Sequence, residues 1–103
     1  MSKLRNTQPG TNPSPTYADS FYMIRDAVLR SKGLIYGTLT DSRGEHCAIG
    51  AFWADNPNLS LQNTVIDEVA SYNDSIPKTA SKKVRRTKVL AWLKWKLRVL
   101  AGG

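Results

Sequence analysis

Apolar residues recur at helical spacing in four stretches of the chain, and residues that break helices separate them. Phe21, Ile24, Val28 and Leu29 stand at i, i+3, i+7 and i+8, which predicts one buried face of an amphipathic helix. Thr16-Tyr17-Ala18-Asp19 has the form of a capping box at its start. Gly33 is placed to close it in the left-handed conformation, so this helix is expected from about Tyr17 to Ser31. A short second helix from Ala48 to Ala54 would turn Ile49, Phe52 and Trp53 inward, with Gly50 admitting another backbone. Asp55-Asn56-Pro57-Asn58 ends it, because proline disfavours helical geometry in the residue before it. Leu61, Val65, Val69 and Tyr72 mark a third helix from about Ser60 to Tyr72, with Asn73 just past its end. A fourth, capped by Thr79 or Ser81, runs to about Leu100. Leu90, Leu93, Leu97 and Leu100 form its stripe, with Val89 beside it and Trp92, Trp95 and Val99 flanking. That apolar arc is wider than a half-buried helix needs. Either the last helix is nearly central, or its Trp edge faces a partner.

Between the first two helices the period changes. Leu34 to Thr40 is rich in β-branched and aromatic residues, Asp41-Ser42-Arg43-Gly44 is a turn, and Glu45 to Ala48 can return antiparallel. The expected fold is therefore α+β and mostly α-helical, with about four helices and one short β-hairpin leaning on them. Residues 1–13 are polar, carry Pro9, Gly10 and Pro13, and have no periodicity. A disordered arm over residues 1–15 and a single globular domain over 16–103 are the expected organisation.

Composition narrows the class. With 41% hydrophobic residues a folded core is expected. One cysteine and one histidine provide no intramolecular disulfide and too little for a metal site. The start lacks a basic-then-apolar leader, and no apolar run approaches the roughly 20 residues of a membrane span. A soluble, cytoplasmic protein is expected. The net charge of +7 is unevenly placed: residues 1–77 carry six cations and eight acids, whereas nine cations and no acid follow from Lys78 onward. That asymmetry points to an acidic partner for the last quarter of the chain, whether nucleic acid, an anionic membrane or an acidic protein.

The order of landmarks resembles a family of small uncharacterised bacterial and bacteriophage proteins. Its pattern has an N-terminal helix, a D-x-x-G turn, C-x-x-G opening a helix, and an Asn-Asp pair before a final helix. Gly37, Asp41, Gly44, Cys47, Gly50, Asn73 and Asp74 match it, over roughly residues 17–100. Two departures stand out: Tyr72 replaces the tryptophan that often precedes the Asn-Asp pair, and the basic run from Lys82 to Lys88 is an addition. The resemblance implies a fold and no activity. If the chain is phage-encoded, its expected setting is the host cytoplasm.

Several constellations invite chemistry. His46-Cys47 with Asn73 or Asp74 suggests a cysteine nucleophile, oriented through a histidine. Adjacent residues on a strand point to opposite faces, so this needs Cys47 at the start of the next helix, where the dipole lowers a thiol pKa. A buried structural cysteine is the plainer alternative. Asn73-Asp74 reads either as a ligand site or as groups satisfying backbone at a helix exit. No Walker, Rossmann or zinc pattern is present, so no cofactor and no metal are expected.

The basic last helix is the strongest functional signal. Lys82, Lys83, Arg85, Arg86 and Lys88 crowd its first turns, an unfavourable arrangement for the helix macrodipole that bound phosphates would relieve. Lys94 and Arg98, one turn apart, extend the patch. The function expected from sequence is thus non-catalytic association with the nucleic-acid phosphate backbone through these seven residues, without sequence readout. The alternative is a protein interaction module, such as a phage modulator of a host protein, anchored by Trp92 and Trp95. A membrane-surface reading uses the same tryptophans and cations but takes the four leucines from the core.

Overall fold

Thr16 accepts a hydrogen bond from the Asp19 N–H through Oγ1 at 3.1 Å, and the chain enters α1, Tyr17–Arg30, at the capping box. The computed structural model describes residues 14–102; the expected arm lies outside the described residues up to position 13. Three further helices follow: α2 Ala48–Asp55, α3 Asn63–Ser75 and α4 Lys82–Leu100. Helix α1 ends on Ser31 with extended backbone, so Gly33 does not close it in the left-handed conformation. Instead Gly33 gives room to Lys82, whose Cβ would lie 2.8 Å from an added methyl.

The two ends of α1 fix its direction against α4. Phe21 meets Trp92 edge-on with ring centroids 6.1 Å apart, while Val28 and Ser31 at the other end meet Arg86. The helices are therefore antiparallel. Helix α3 runs antiparallel to α4 in the same way, since Glu68 pairs with Lys96 at 2.7 Å and Tyr72 stacks on Trp92 at 4.9 Å. Lys96 is the joint of the three helices: its ammonium also lies 5.4 Å from the Tyr17 and Phe21 rings, and the Tyr17 hydroxyl donates to Glu68. Burial pushes the Glu68 carboxyl up, but hydrogen bonds from Lys96 and Tyr17 outweigh it and hold the pKa below the usual value. The same contacts, with Glu68 first, raise that of Lys96.

The core is Phe21, Ile24, Val28, Leu34, Ile49, Phe52, Val65, Val69, Val89 and Leu93, with Leu61, Ile76 and Leu97 closing it. Ala27 takes the place expected of Leu29, which is 51% exposed. At 100° per residue Leu29 lies a quarter turn away from the line of Phe21 and Val28, at the open edge of the contact between α1 and α4.

The expected hairpin is replaced by an irregular loop. Among the described residues there is no strand, only an isolated antiparallel bridge between Thr40 and His46. Ile35 and Asp41 N–H groups do donate across to the His46 and Glu45 carbonyls, but other backbone groups of the segment go elsewhere. Leu34 N–H donates to the Lys82 carbonyl, and the Ile35 carbonyl accepts from the Asn73 side chain, so the segment is tied to α4 and α3. Gly37, at φ 86°, turns the chain out of any ladder. What remains is a loop strapped over the start of α2, with Cys47 N–H donating to the Leu39 carbonyl. Gly50 makes the strap possible: a Cβ there would stand 1.9 Å from the Leu39 oxygen.

Candidate nucleic-acid interface

Ser81 caps α4 by accepting from the Val84 N–H at 3.1 Å, which sets the facing of every cation that follows. The seven basic residues then separate into two groups.

Three of them serve the fold. Arg85 is 1% exposed, and its guanidinium donates to the backbone carbonyls of Asn73, Ile76 at 3.0 Å and Pro77 at 2.9 Å. It is not a phosphate contact: its donors close the C-terminus of α3, and the Tyr36 ring packs 5.4 Å from its carbon. Arg86 treats α1 likewise, donating from Nε to the Ser31 and Val28 carbonyls and from Nη2 to that of Leu29. Lys82 is paired with Glu45 at 2.5 Å. The repulsion expected at the start of α4 is therefore relieved within the molecule. The negative dipole ends of α1 and α3 are brought to the cations.

The other four, Lys83, Lys88, Lys94 and Arg98, are exposed, and none forms an ion pair among the described residues. Lys88 stands within a solvent-facing stripe at helical spacing, Val84, Lys88, Ala91, Trp95 and Val99, and Lys83, Lys94 and Arg98 follow along one side of it. Trp95 lies at its centre, 53% exposed. Trp92, expected beside it as a partner anchor, turns the other way, stacking on Tyr72 and meeting Phe21 edge-on. The wide apolar arc of α4 thus divides: one side enters the core and a narrower one, with Trp95, faces outward.

The other candidates resolve into structure. Cys47 is the N-cap of α2, its Sγ accepting from the Gly50 N–H at 3.5 Å. That is the position from which a helix dipole lowers a thiol pKa, but burial acts more strongly, and with the nearby Asp74 charge it pushes the thiol up. His46 is engaged elsewhere, with Nδ1 2.8 Å from the Thr40 hydroxyl. Alkylation by iodoacetamide at neutral pH is accordingly expected to proceed only through opening of the fold. Rapid modification of native protein, followed by mass spectrometry, would contradict this.

Asn73 is a buried bracket, 1% exposed. Its Oδ1 accepts from the Ala48 N–H and its Nδ2 donates to the Ile35 carbonyl, joining α3 to the start of α2 and to the loop. Asp74 accepts from the Gly37 N–H at 3.0 Å. Asp41 accepts from the N–H groups of Arg43 and Glu45, which lower its pKa, Glu45 most, and fix the turn. No group of three His, Cys, Asp or Glu side chains suited to a metal ion occurs among the described residues. None of their helices is long and apolar enough to cross a membrane.

A surface not expected from the sequence lies where α4 meets α1, next to the Trp95 stripe. Tyr22, Arg25 and Leu29 of α1 and Leu90, Lys94, Leu97, Arg98 and Ala101 of α4 and its end line an open groove of about 480 Å³. Its signal was present in the spacing: Tyr22 and Leu29, seven residues apart, share a line of α1 off the Phe21–Val28 stripe.

No family model matches the chain, and neither a curated protein nor a solved structure is significantly similar to it. The class is defined by the fold alone: over the described residues, a small domain of four helices with a basic last one.

Proposed function

We propose that the protein is a non-catalytic binding module that holds single-stranded nucleic acid on the outer face of α4. The observation that carries this reading is the half-exposed Trp95 among unpaired cations on a helix without a single acid. An exposed indole offers a base a stacking platform, and Lys88, Lys94, Arg98 and Lys83 supply the charge that follows a phosphate backbone. Base stacking and phosphate contact read no base edges, so sequence tolerance is expected. Arg85, Arg86 and Lys82 are left out of the contact set, because each already has partners within the fold.

Binding of labelled single-stranded DNA, RNA and duplex DNA, measured by anisotropy over a salt series, tests the reading. With four phosphate contacts the logarithmic salt slope on a single strand should be about −3. Replacing Lys83, Lys88, Lys94 and Arg98 by glutamine should abolish association with the fold intact. Trp95→Ala should weaken it by about 5- to 150-fold, the range for one lost base stack. Absence of salt-dependent association even at low ionic strength would sink the proposal. The Trp95 edge would then be read as a protein contact.

A further inference from the structure

The groove between α1 and α4 adjoins the Trp95 face and shares Lys94 and Arg98 with it, but its apolar lining is its own. Its floor and walls are apolar, with Leu90 and Leu97 below and the exposed side chains of Tyr22 and Leu29 on the α1 side. Every charged residue lining it is a cation: Arg25 on one helix, Lys94 and Arg98 one turn apart on the other. The Arg25 guanidinium lies 5.4 Å from the Tyr22 ring centre. One Nη meets the neighbouring Asp26 at 3.3 Å, and its Nε is buried without a hydrogen-bond partner.

From these observations we infer that the groove is a docking site for an amphipathic helix of a partner protein, with apolar residues along one face and carboxylates on either side. Length fits the occupant. Leu90 to Ala101 extends roughly 16 Å along α4 at the α-helical rise, enough for about three turns of a partner helix. Apolar anchors at i, i+3, i+4 and i+7 would lie along Leu29, Leu90, Leu97 and Tyr22, the usual manner of helix-in-groove recognition. Charge excludes the nearer occupants. Residues 1–13 carry Lys3 and Arg5 and no acid, so the chain's own N-terminal segment would bring cations to cations. A second copy using the same face would set Arg25, Lys94 and Arg98 against themselves. Carboxylates flanking the apolar stripe meet all three cations.

The probe is a fluorescein-labelled peptide of four helical turns, with leucine at i, i+3, i+4 and i+7 and glutamate at the remaining positions. Its controls are a scrambled peptide of the same composition and a version with lysine for glutamate. The full chain should bind the first and neither control, with amide shifts in its NMR spectrum centred on Tyr22, Leu29 and Leu90. Leu29→Glu, at an exposed position, should weaken peptide binding by about tenfold or more, and so should Arg98→Glu. Lys88→Gln and Trp95→Ala should leave it unchanged, and Leu29→Glu should leave single-strand binding unchanged, so the two faces are tested apart. Equal binding of the scrambled peptide would overturn the inference by reducing it to charge. So would indifference to Leu29→Glu, or a groove that accepts dodecanoate and not the acidic helix.

Discussion

Arg85→Met is expected to destabilise the protein by about 3 kcal/mol or more, while the molecules that remain folded bind nucleic acid as before. The side chain is buried, and its guanidinium serves three backbone carbonyls at the end of α3. Methionine keeps much of the volume and removes every donor. Each carbonyl left without a partner or water costs about 1–3 kcal/mol, and the apolar gain of methionine offsets only part of that. In a domain of this size the loss corresponds to a fall in Tm of roughly 12–24 °C. Arg85→Lys should recover little, because an ammonium cannot fork across carbonyls of residues 73, 76 and 77. Thermal unfolding by circular dichroism, with binding measured well below Tm, separates the two roles. If stability held and binding fell, the basic run would be a phosphate surface after all.

Gly50→Ala is expected to cost about 3 kcal/mol or more, and here the sign itself is diagnostic. In an unobstructed helix the same change gains up to about 1 kcal/mol, because alanine is the better helix former. Here the new methyl would stand 1.9 Å from the Leu39 oxygen and 3.2 Å from the His46 Cβ, and the nearer atom belongs to backbone. Relief requires the loop to lift from α2, breaking the Cys47 N–H bond to Leu39 and uncovering the Cys47 thiol. The variant should therefore melt lower in a calorimetric scan and alkylate faster at Cys47. An unchanged or raised Tm would mean that the loop does not lie on α2.

How much of this was legible in the sequence depended on range. Helix starts fixed by local chemistry were readable: Thr16 caps α1 and Ser81 caps α4, each by accepting an N–H three residues on. The start of α3 was not, because Gln62 makes no side-chain cap and Leu61, counted as the first core position of the helix, packs before it begins. Asn73 was expected past its end and lies in its last turns, with a buried side chain. The hairpin is interrupted for a partly non-local reason: Ile35, Asp41 and Cys47 N–H groups still bond across the two segments, but the Leu34 N–H and the Ile35 carbonyl are taken by Lys82 and Asn73, and Gly37 turns the chain between them. The basic surface failed similarly. Counting charges locates a patch along the chain, but whether a guanidinium meets a phosphate or a carbonyl depends on residues far away. Trp92 and Trp95 show the limit of periodicity, since three residues' separation placed one between Tyr72 and Phe21 and the other in water.

The closure of α1 by Arg86 also bears on how the chain is made. The carbonyls of Val28, Leu29 and Ser31 precede their donor by 58, 57 and 55 residues. At about 5–20 residues per second the ribosome delivers that donor roughly 3–12 s after the first helix has left the catalytic centre. During that interval water must satisfy the end of α1, and Leu34, Phe21 and Val28 lack the α4 face that covers them. The nascent chain is thus at its most aggregation-prone until its final helix emerges, and the same arginines that bring in that helix complete the earlier ones.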